Sequence, residues 1–384
     1  LINGISLAVD DGYLDTVRQM TQVRHVWPLS VVVRPSVQRV NSRTMVPSPA
    51  HAAIGVDQLR KQHRLDGHGI KVGIIDSGID YRHPALDGCF GQSCRVAYGW
   101  DFVGDAFTGH NTPVPDADPR DTCNGHGTHV AGIVGASSAV RSGIATGVLF
   151  GAYRIFGCRG HGRSDVTLAA MEYAAMDSMD IVNLSFANSN GWPWSLHAAA
   201  ADRLTARGIA VVAAIGNSGM HGMWATATPA IASSAIAVAA VDVSTASSHM
   251  AKYSSWGPGP HLEMKPDIAA PGSIIHSTWP VTMGSYAAMT GTSMAAPHVT
   301  GTIALLLQAD GGRHVDIRQL KARLQTTARP IAEPGDGMRV ASVSHQGAGL
   351  LNAERAYAGT FRVSPSQFPL NDTRFGRRRH FGTV

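Results

Sequence analysis

The sequence predicts an α/β fold: a doubly wound parallel sheet with helices on both faces, three layers in all. Three observations predict it. Strand-length apolar runs rich in Val, Ile and Ala recur at residues 70–75, 151–156, 181–186, 209–215 and 235–241. Helical stretches at 165–176 and 196–207 fall between them, and glycine turns stand where strands give way to helices. Strands alternating with helices require crossover connections, hence parallel pairing, and ligands of such sheets sit at the carboxyl ends of the strands.

Taken in order, residues 1–50 read as a unit of their own. A strand is expected over 2–9, a polar helix over 12–23 and a second strand over 26–33, followed by a Ser/Arg/Pro-rich linker reaching Pro49. The main domain is expected over 51–359. It opens with the strand ending at Asp76 and continues with a helix from the Gly125–Gly127 turn to Val134. Residues 360–384 form a tail that includes Arg377, Arg378 and Arg379. The chain starts at Leu1 without a basic-then-apolar leader, which fits either a removed secretory signal or a fragment.

Composition excludes several classes of function. With 384 residues, 44% of them hydrophobic and only 15% charged, the chain has enough apolar surface to build a core and too little charge for a disordered one. The net charge of +5 is dispersed apart from the arginine tail, so no nucleic-acid partner is expected. No apolar stretch is long enough to span a membrane as a helix. Neither G-x-G-x-x-G after a strand nor G-x-x-x-x-G-K-[ST] occurs, which disfavours a nucleotide site.

The four cysteines, Cys89, Cys94, Cys123 and Cys158, are even in number and confined to one stretch, as expected of two disulfides in an oxidising compartment. Three pairings are open. The loop from Cys89 to Cys94 is short enough to close on itself, which would leave Cys123 with Cys158. Zinc ranks last, because no second close pair accompanies Cys89 and Cys94.

Three glycine-flanked polar residues carry the chemistry: Asp76 before Ser77-Gly78, His126 between Gly125 and Gly127, and Ser293 after Gly291-Thr292. A serine hydroxyl is a weak nucleophile that needs an imidazole to take its proton and a carboxylate to orient that imidazole. Each residue alone reads as well as a cap, a packed histidine or an ordinary helix start. Together, and with Asn217 offering an amide donor just after the strand at 209–215, they read as a nucleophilic site with an oxyanion hole. A helix starting at Ser293 would add backbone N–H donors.

The segments Asp76-Ser77-Gly78, Asn124 to Gly132 and Gly291 to His298 resemble the three active-site signatures of the subtilisin-like serine proteases, the subtilase family. The resemblance runs from about Gly55 to Tyr357 and includes Gly216-Asn217, and it is strongest to the larger, secreted minor-extracellular-protease type. It implies a secreted serine endopeptidase acting on protein or peptide substrates, with Asp76 orienting, His126 as general base and acid, Ser293 as nucleophile and Asn217 in the oxyanion hole. It also implies that an extended peptide pairs between Gly160-His161-Gly162 and Ser185-Phe186-Ala187, above a pocket walled further by Ala214, Ile215 and Gly216. Ala187 and Ile215 stand where the family more often has glycine and alanine, so a narrower, apolar pocket with a broad preference for uncharged side chains is expected.

The first fifty residues resemble the C-terminal half of the family's inhibitory propeptide, which implies an intramolecular inhibitor, self-cleavage between Pro28 and Val56, and a missing N-terminal half. The tail resembles the lead-in to a β-sandwich domain. A monomer requiring no cofactor is expected. Asp116, Asp118 and Asp121 crowd the loop before His126 without EF-hand spacing, so structural calcium there stays open. His129 is expected to pack rather than bind metal. Of two glycosylation sequons, Asn371-Asp372-Thr373 is the candidate, since Asn183 lies in the substrate-binding strand. The competing reading is a catalytically silent zymogen fragment or binding protein on the same fold.

Overall fold

The structure is a computed structural model describing residues 1–35, 39–40, 49–139, 142–188, 191–244, 248–312, 316–334, 336–360, 363 and 366. Its main sheet includes β1 (Lys71–Asp76), flanked on both sides by other strands. Around it lie β2 (Val96–Asp101), β3 (Leu149–Arg154), β4 (Ile181–Leu184), β5 (Ala210–Ala214), β6 (Ile236–Asp242), β7 (His249–Met250) and β8 (Ile268–Pro271). The sheet order is β7-β6-β5-β4-β1-β3-β2, with β8 also on β6. Only β7 pairs antiparallel. Every residue of β4 and β5 is buried, the continuous apolar pattern of strands covered on both faces.

Helices α1 (His126–Gly135) and α4 (Thr292–Ala309) pack together on one face, and α2 (Ser164–Met176) with α3 (Leu196–Ala206) on the other. Residues Thr292 to Leu307 of α4 are all buried, as expected for a helix that is apolar all round. The α3 helix starts where the Ser195 hydroxyl accepts from the Ala198 N–H, satisfying one otherwise unpaired donor. Helix α5 (Ile317–Thr327) follows, capped by Asp316.

The expected core strands and helices form within about two residues of the expected ends. The N-terminal unit differs. Residues 2–9 make no strand. They lie along α2, where the Ile2 N–H reaches Glu172 and the Ser6 hydroxyl reaches Asp165. The helix shrinks to a 3₁₀ turn at Asp11–Tyr13 and Leu14–Gln19. The second strand reduces to Val31–Val32, antiparallel to Gly162–Arg163. Alternating apolar residues make a strand only where a partner edge is free, and here that edge is the 162–163 segment. Both disulfides form, Cys89–Cys94 and Cys123–Cys158, with Cα atoms 5.6 and 5.3 Å apart.

Candidate active site

Asp76 ends β1 at the carboxyl edge of the sheet, and His126 is the first residue of α1. The His126 Nδ1 lies 2.8 and 2.9 Å from the two Asp76 carboxylate oxygens, with both side chains buried. This contact depends on glycine. A Cβ on Gly127 would overlap the Gly78 carbonyl and press on Asp76, and Gly125, at φ 90°, packs against the Trp279 ring where a side chain would collide.

A second carboxylate fixes the approach. Asp121 accepts from the Ser77 hydroxyl at 2.6 Å and from the N–H groups of Asn124 and Gly125 at 2.8 and 2.6 Å. The Ser77 oxygen in turn accepts from the Gly127 N–H at 2.9 Å. Burial pushes the Asp121 carboxyl up, against the pull of these donors. The loop 121–125 is thereby locked to the turn after β1. Sequence reasoning grouped Asp121 with Asp116 and Asp118. In the structure Asp116 accepts from the Asp118 N–H and Asp118 from the Tyr81 hydroxyl, a surface turn separate in its bonding from Asp121. Spacing to Ser77 was the missed signal.

Ser293 stands in the first turn of α4. Pro297 lies four residues on and has no N–H for the Ser293 carbonyl, so that carbonyl accepts instead from the Ser185 hydroxyl at 2.9 Å. The Ser293 hydroxyl donates to the Ser185 carbonyl at 2.8 Å. Ser185 is held by the Asn183 amide, itself bonded to the Thr300 hydroxyl of α4. Among the described residues the His126 Nε2 has no hydrogen-bond partner. The imidazole is thus oriented by Asp76 with its far nitrogen free.

The Asn217 Oδ1 accepts from the Thr292 N–H and hydroxyl, both at 2.9 Å. A backbone N–H can only donate, so the amide oxygen must face Thr292 and the Nδ2 donor remains for the exposed side. A cleft of about 390 Å³ opens here, lined by Ala187, Asn217, Met223, Trp224, Ala227 and Ser293 among others. Gly216 lines it too, whereas Ala214 and Ile215 are fully buried in the core and Phe186 packs edge-on to Phe156 at 6.1 Å. The described wall is set by Ala187, Met223, Trp224, Ala225 and Ala227.

The chain's own residues lie in this cleft. Val31 and Val32 pair with Arg163 and Gly162, the Asn188 amide donates to the Val31 carbonyl at 2.9 Å, and the Arg34 N–H meets the His161 ring at 3.3 Å. The Arg34 guanidinium donates to the Cys158 carbonyl beside Gly160. Val33, Arg34 and Pro35 line the cleft with Asn217 and Ser293. Farther on, Arg39–Val40 pairs antiparallel with Tyr286–Met289. Residues 31–35 therefore run along the cleft, with Val31–Val32 paired there as a strand.

Behind this edge, buried Arg154 at the end of β3 bonds Asp101 at 3.0 Å and Asp105 at 2.6 Å and lies against the Cys123 and Cys158 sulfurs. Asp105 is close to both sulfurs, but these are oxidised and offer no thiolate to a metal. The His129 Nε2 reaches the Ile275 and Ala287 carbonyls, and burial lowers its pKa to about 3. It packs. Asn183 is buried and doubly bonded, and the sequon at Asn371 lies outside the described residues.

A parallel α/β sheet that carries aspartate, histidine and serine in this order, with the histidine held by the aspartate at the carboxyl edge, is the layout of a serine peptidase. The chain belongs to the subtilase family, whose profile matches residues 67–356. It is 34% identical over 293 residues to Subtilisin DY of Bacillus licheniformis, covering 76% of this chain and 91% of the relative. It is 35% identical over 284 residues to Thermitase of Thermoactinomyces vulgaris, covering 70% and 85%. To Minor extracellular protease Vpr of Bacillus subtilis (strain 168) the identity is 38% over 177 residues, which is 46% of this chain and 21% of that protein. The solved structure of a cold adapted subtilisin-like serine proteinase matches with a TM-score of 0.57 and 28% identity, covering 75% of this chain and 90% of the other. The chain is a subtilisin-like serine peptidase, and proteins are its substrates.

Proposed function

We propose that this chain is a secreted endopeptidase that cuts internal peptide bonds through an acyl-enzyme on Ser293. The observation that carries the reading is the buried Asp76–His126 contact of 2.8 Å, with the His126 Nε2 left without a hydrogen-bond partner among the described residues and α1 packed against α4. Rotation of the Ser293 hydroxyl from the Ser185 carbonyl to this nitrogen would let His126 take the proton as the oxygen attacks the carbonyl carbon. Asn217 Nδ2 and the Ser293 N–H then hold the oxyanion. His126 returns the proton to the leaving amine, and water repeats the sequence to release the acid. Apart from the peptide and the water, the groups that act are side chains and amides of the chain. Two disulfides and the extracellular name of one relative support a secreted location.

The small apolar residues Ala187, Ala225 and Ala227 in the cleft support broad selectivity for uncharged side chains. A strict Arg or Lys preference in peptide-library cleavage would overturn it. The segment 31–35 in the cleft supports a further reading: residues 1–50 act as intramolecular inhibitor, and the bond cut lies between Pro35 and Arg39, inside the window of 28–56 expected from sequence. The test is mass spectrometry after exposure to a fluorophosphonate. One adduct on Ser293 with a new N-terminus between residues 36 and 39 supports the nucleophile and the cut, and a new N-terminus elsewhere overturns the placement of the cut. No adduct on folded protein, cut or uncut, overturns the nucleophile assignment.

A further inference from the structure

The cleft wall that carries Met223, Trp224 and Ala225 is loop rather than sheet. Met223 and Trp224 are about half exposed, and Trp224 stands at φ 67°, a left-handed backbone that bulky residues rarely adopt. Such a conformation persists only where its surroundings enforce it. Here two residues do so. The Trp224 N–H donates to the Gly257 carbonyl at 3.3 Å, and the Ala225 N–H and the Thr226 hydroxyl donate to the Trp256 carbonyl at 2.9 and 3.4 Å. At Ala227 the wall returns to the end of β5, bonding the Ile215 carbonyl at 3.0 Å.

Trp256 and Gly257 are clamped in turn. The Gly257 N–H donates to the Ser344 carbonyl at 2.8 Å, and the Trp256 ring stacks on the ring of buried His345, with centroids 3.9 Å apart and planes 9° from parallel. The short helix Val343–Gln346 thus holds, from behind, the two residues on which the wall hangs. On the reading that this cleft holds substrate, we infer that His345 is a positioning residue for selectivity: through the Trp256 ring it fixes the wall against which the side chain before the cut bond packs. A side chain long enough to touch Met223, Trp224 and Ala225 then meets a wall already ordered. Ordering a loose wall on binding costs conformational entropy, and that cost falls on the long side chain, not on a short one that never reaches the wall.

The test uses the full-length chain, whose cleft of about 390 Å³ stays open with Val33, Arg34 and Pro35 in place, so a compact reagent enters beside them. Fluorophosphonates carrying an ethyl or a hexyl chain are compared. Both lose fluoride as the Ser293 oxygen bonds phosphorus, so the ratio of their labelling rates cancels the chemistry and reads the wall. Amide exchange of residues 222–227 reads the same wall without any reaction. His345→Leu keeps bulk and removes the flat ring, whereas His345→Phe keeps a ring. With His345→Leu, exchange of 222–227 should rise about three- to tenfold, the worth of one aromatic pair, and the hexyl-to-ethyl ratio should fall by a similar factor. Exchange in β4 and β5 should not change. His345→Phe should stay within about twofold of the parent in both readouts. Trp256→Leu removes the same stack from the other side and should match His345→Leu, so either variant serves if the other does not fold. Equal behaviour of His345→Leu and His345→Phe, exchange that rises in the sheet as much as in the wall, or a ratio unmoved while exchange rises each overturn the inference. If neither probe labels the parent, the nucleophile reading alone is sunk, and exchange still decides whether His345 positions the wall.

Discussion

Ser185 and Ser293 exchange hydrogen bonds: the Ser185 hydroxyl donates to the Ser293 carbonyl at 2.9 Å, and the Ser293 hydroxyl donates to the Ser185 carbonyl at 2.8 Å. The first bond exists because Pro297 cannot make it. Removing the hydroxyl with Ser185→Ala strands a buried carbonyl, which should cost about 1–3 kcal/mol of stability. In a Pro297→Ala background the new N–H can serve the Ser293 carbonyl, so Ser185→Ala should cost less. Chemical denaturation of the four proteins measures the coupling, and additive losses would refute the substitution of one donor for the other.

Removing the nucleophile should separate chemistry from folding. Ser293→Ala is expected to abolish fluorophosphonate labelling in protein that still unfolds cooperatively, with a stability loss of about 1–3 kcal/mol from the stranded Ser185 carbonyl. Asn217→Ala, which deletes the oxyanion donor, should lower kcat about 10²–10³-fold with a smaller effect on KM. Steady-state kinetics on a short chromogenic peptide decide both, and full turnover by Ser293→Ala would mean that another residue attacks.

Gly127→Ala tests the steric requirement beneath Asp76. The added methyl collides with the Gly78 carbonyl, so α1 must shift and the Asp76–His126 contact must lengthen. Activity should fall by more than stability would explain, read as lost kcat in protein that still melts cooperatively. Unchanged kcat would show that the loop yields at no cost to the pair.

Acid should destabilise the fold through buried histidines. Burial lowers His129 and His298 to about 3 and His197 to about 4. Between those values and the ordinary histidine value near 6.5, the unfolded chain binds protons that the folded chain refuses, so stability falls as pH drops through that window. The slope should approach about 1.4 kcal/mol per pH unit for each histidine. Urea midpoints from pH 7 to pH 4 measure it, and His129→Gln should reduce the slope. A midpoint that rose toward acid would contradict the sign.

The two disulfides should differ in worth. Cys123–Cys158 closes 35 residues and Cys89–Cys94 closes 5. Loop-closure entropy then gives about 4 kcal/mol for the first and about 2 for the second. Calorimetry of the paired Cys→Ser variants should show the larger loss for Cys123 and Cys158, with weakened peptide affinity as well, since Cys158 leads into Gly160 and its carbonyl holds Arg34.

Strands β1, β3, β4, β5 and β6 were legible because they are buried and read as unbroken apolar runs, whereas half-buried β2 and the short β7 and β8 were not expected; Asp76, His126 and Ser293 were legible because glycine stands near each one where backbone and side chain crowd together. The N-terminal unit was less so. Residues 2–9 alternate like a strand, but they lie against α2 through side-chain bonds and make no ladder, and periodicity cannot say whether an edge is available. The pocket wall escaped for a related reason. Ile215 adjoins Gly216 in sequence, yet it sits at the sheet's interior, while Met223 and Trp224 reach the cleft from a loop with no periodic signal. Asp121 was visible only as charge, because its partners are amides and a hydroxyl that sequence does not pair.

The strand across the cleft is covalently part of the molecule it crosses. A tethered segment competes at an effective concentration on the order of millimolar, whatever the amount of protein in solution. Dilution cannot empty the site while the chain is whole. Once cut, the same segment obeys ordinary mass action and departs as its concentration falls below its dissociation constant. On the proposed self-cleavage, the cut in cis should therefore proceed at a rate independent of protein concentration, while release of the fragment is favoured by dilution.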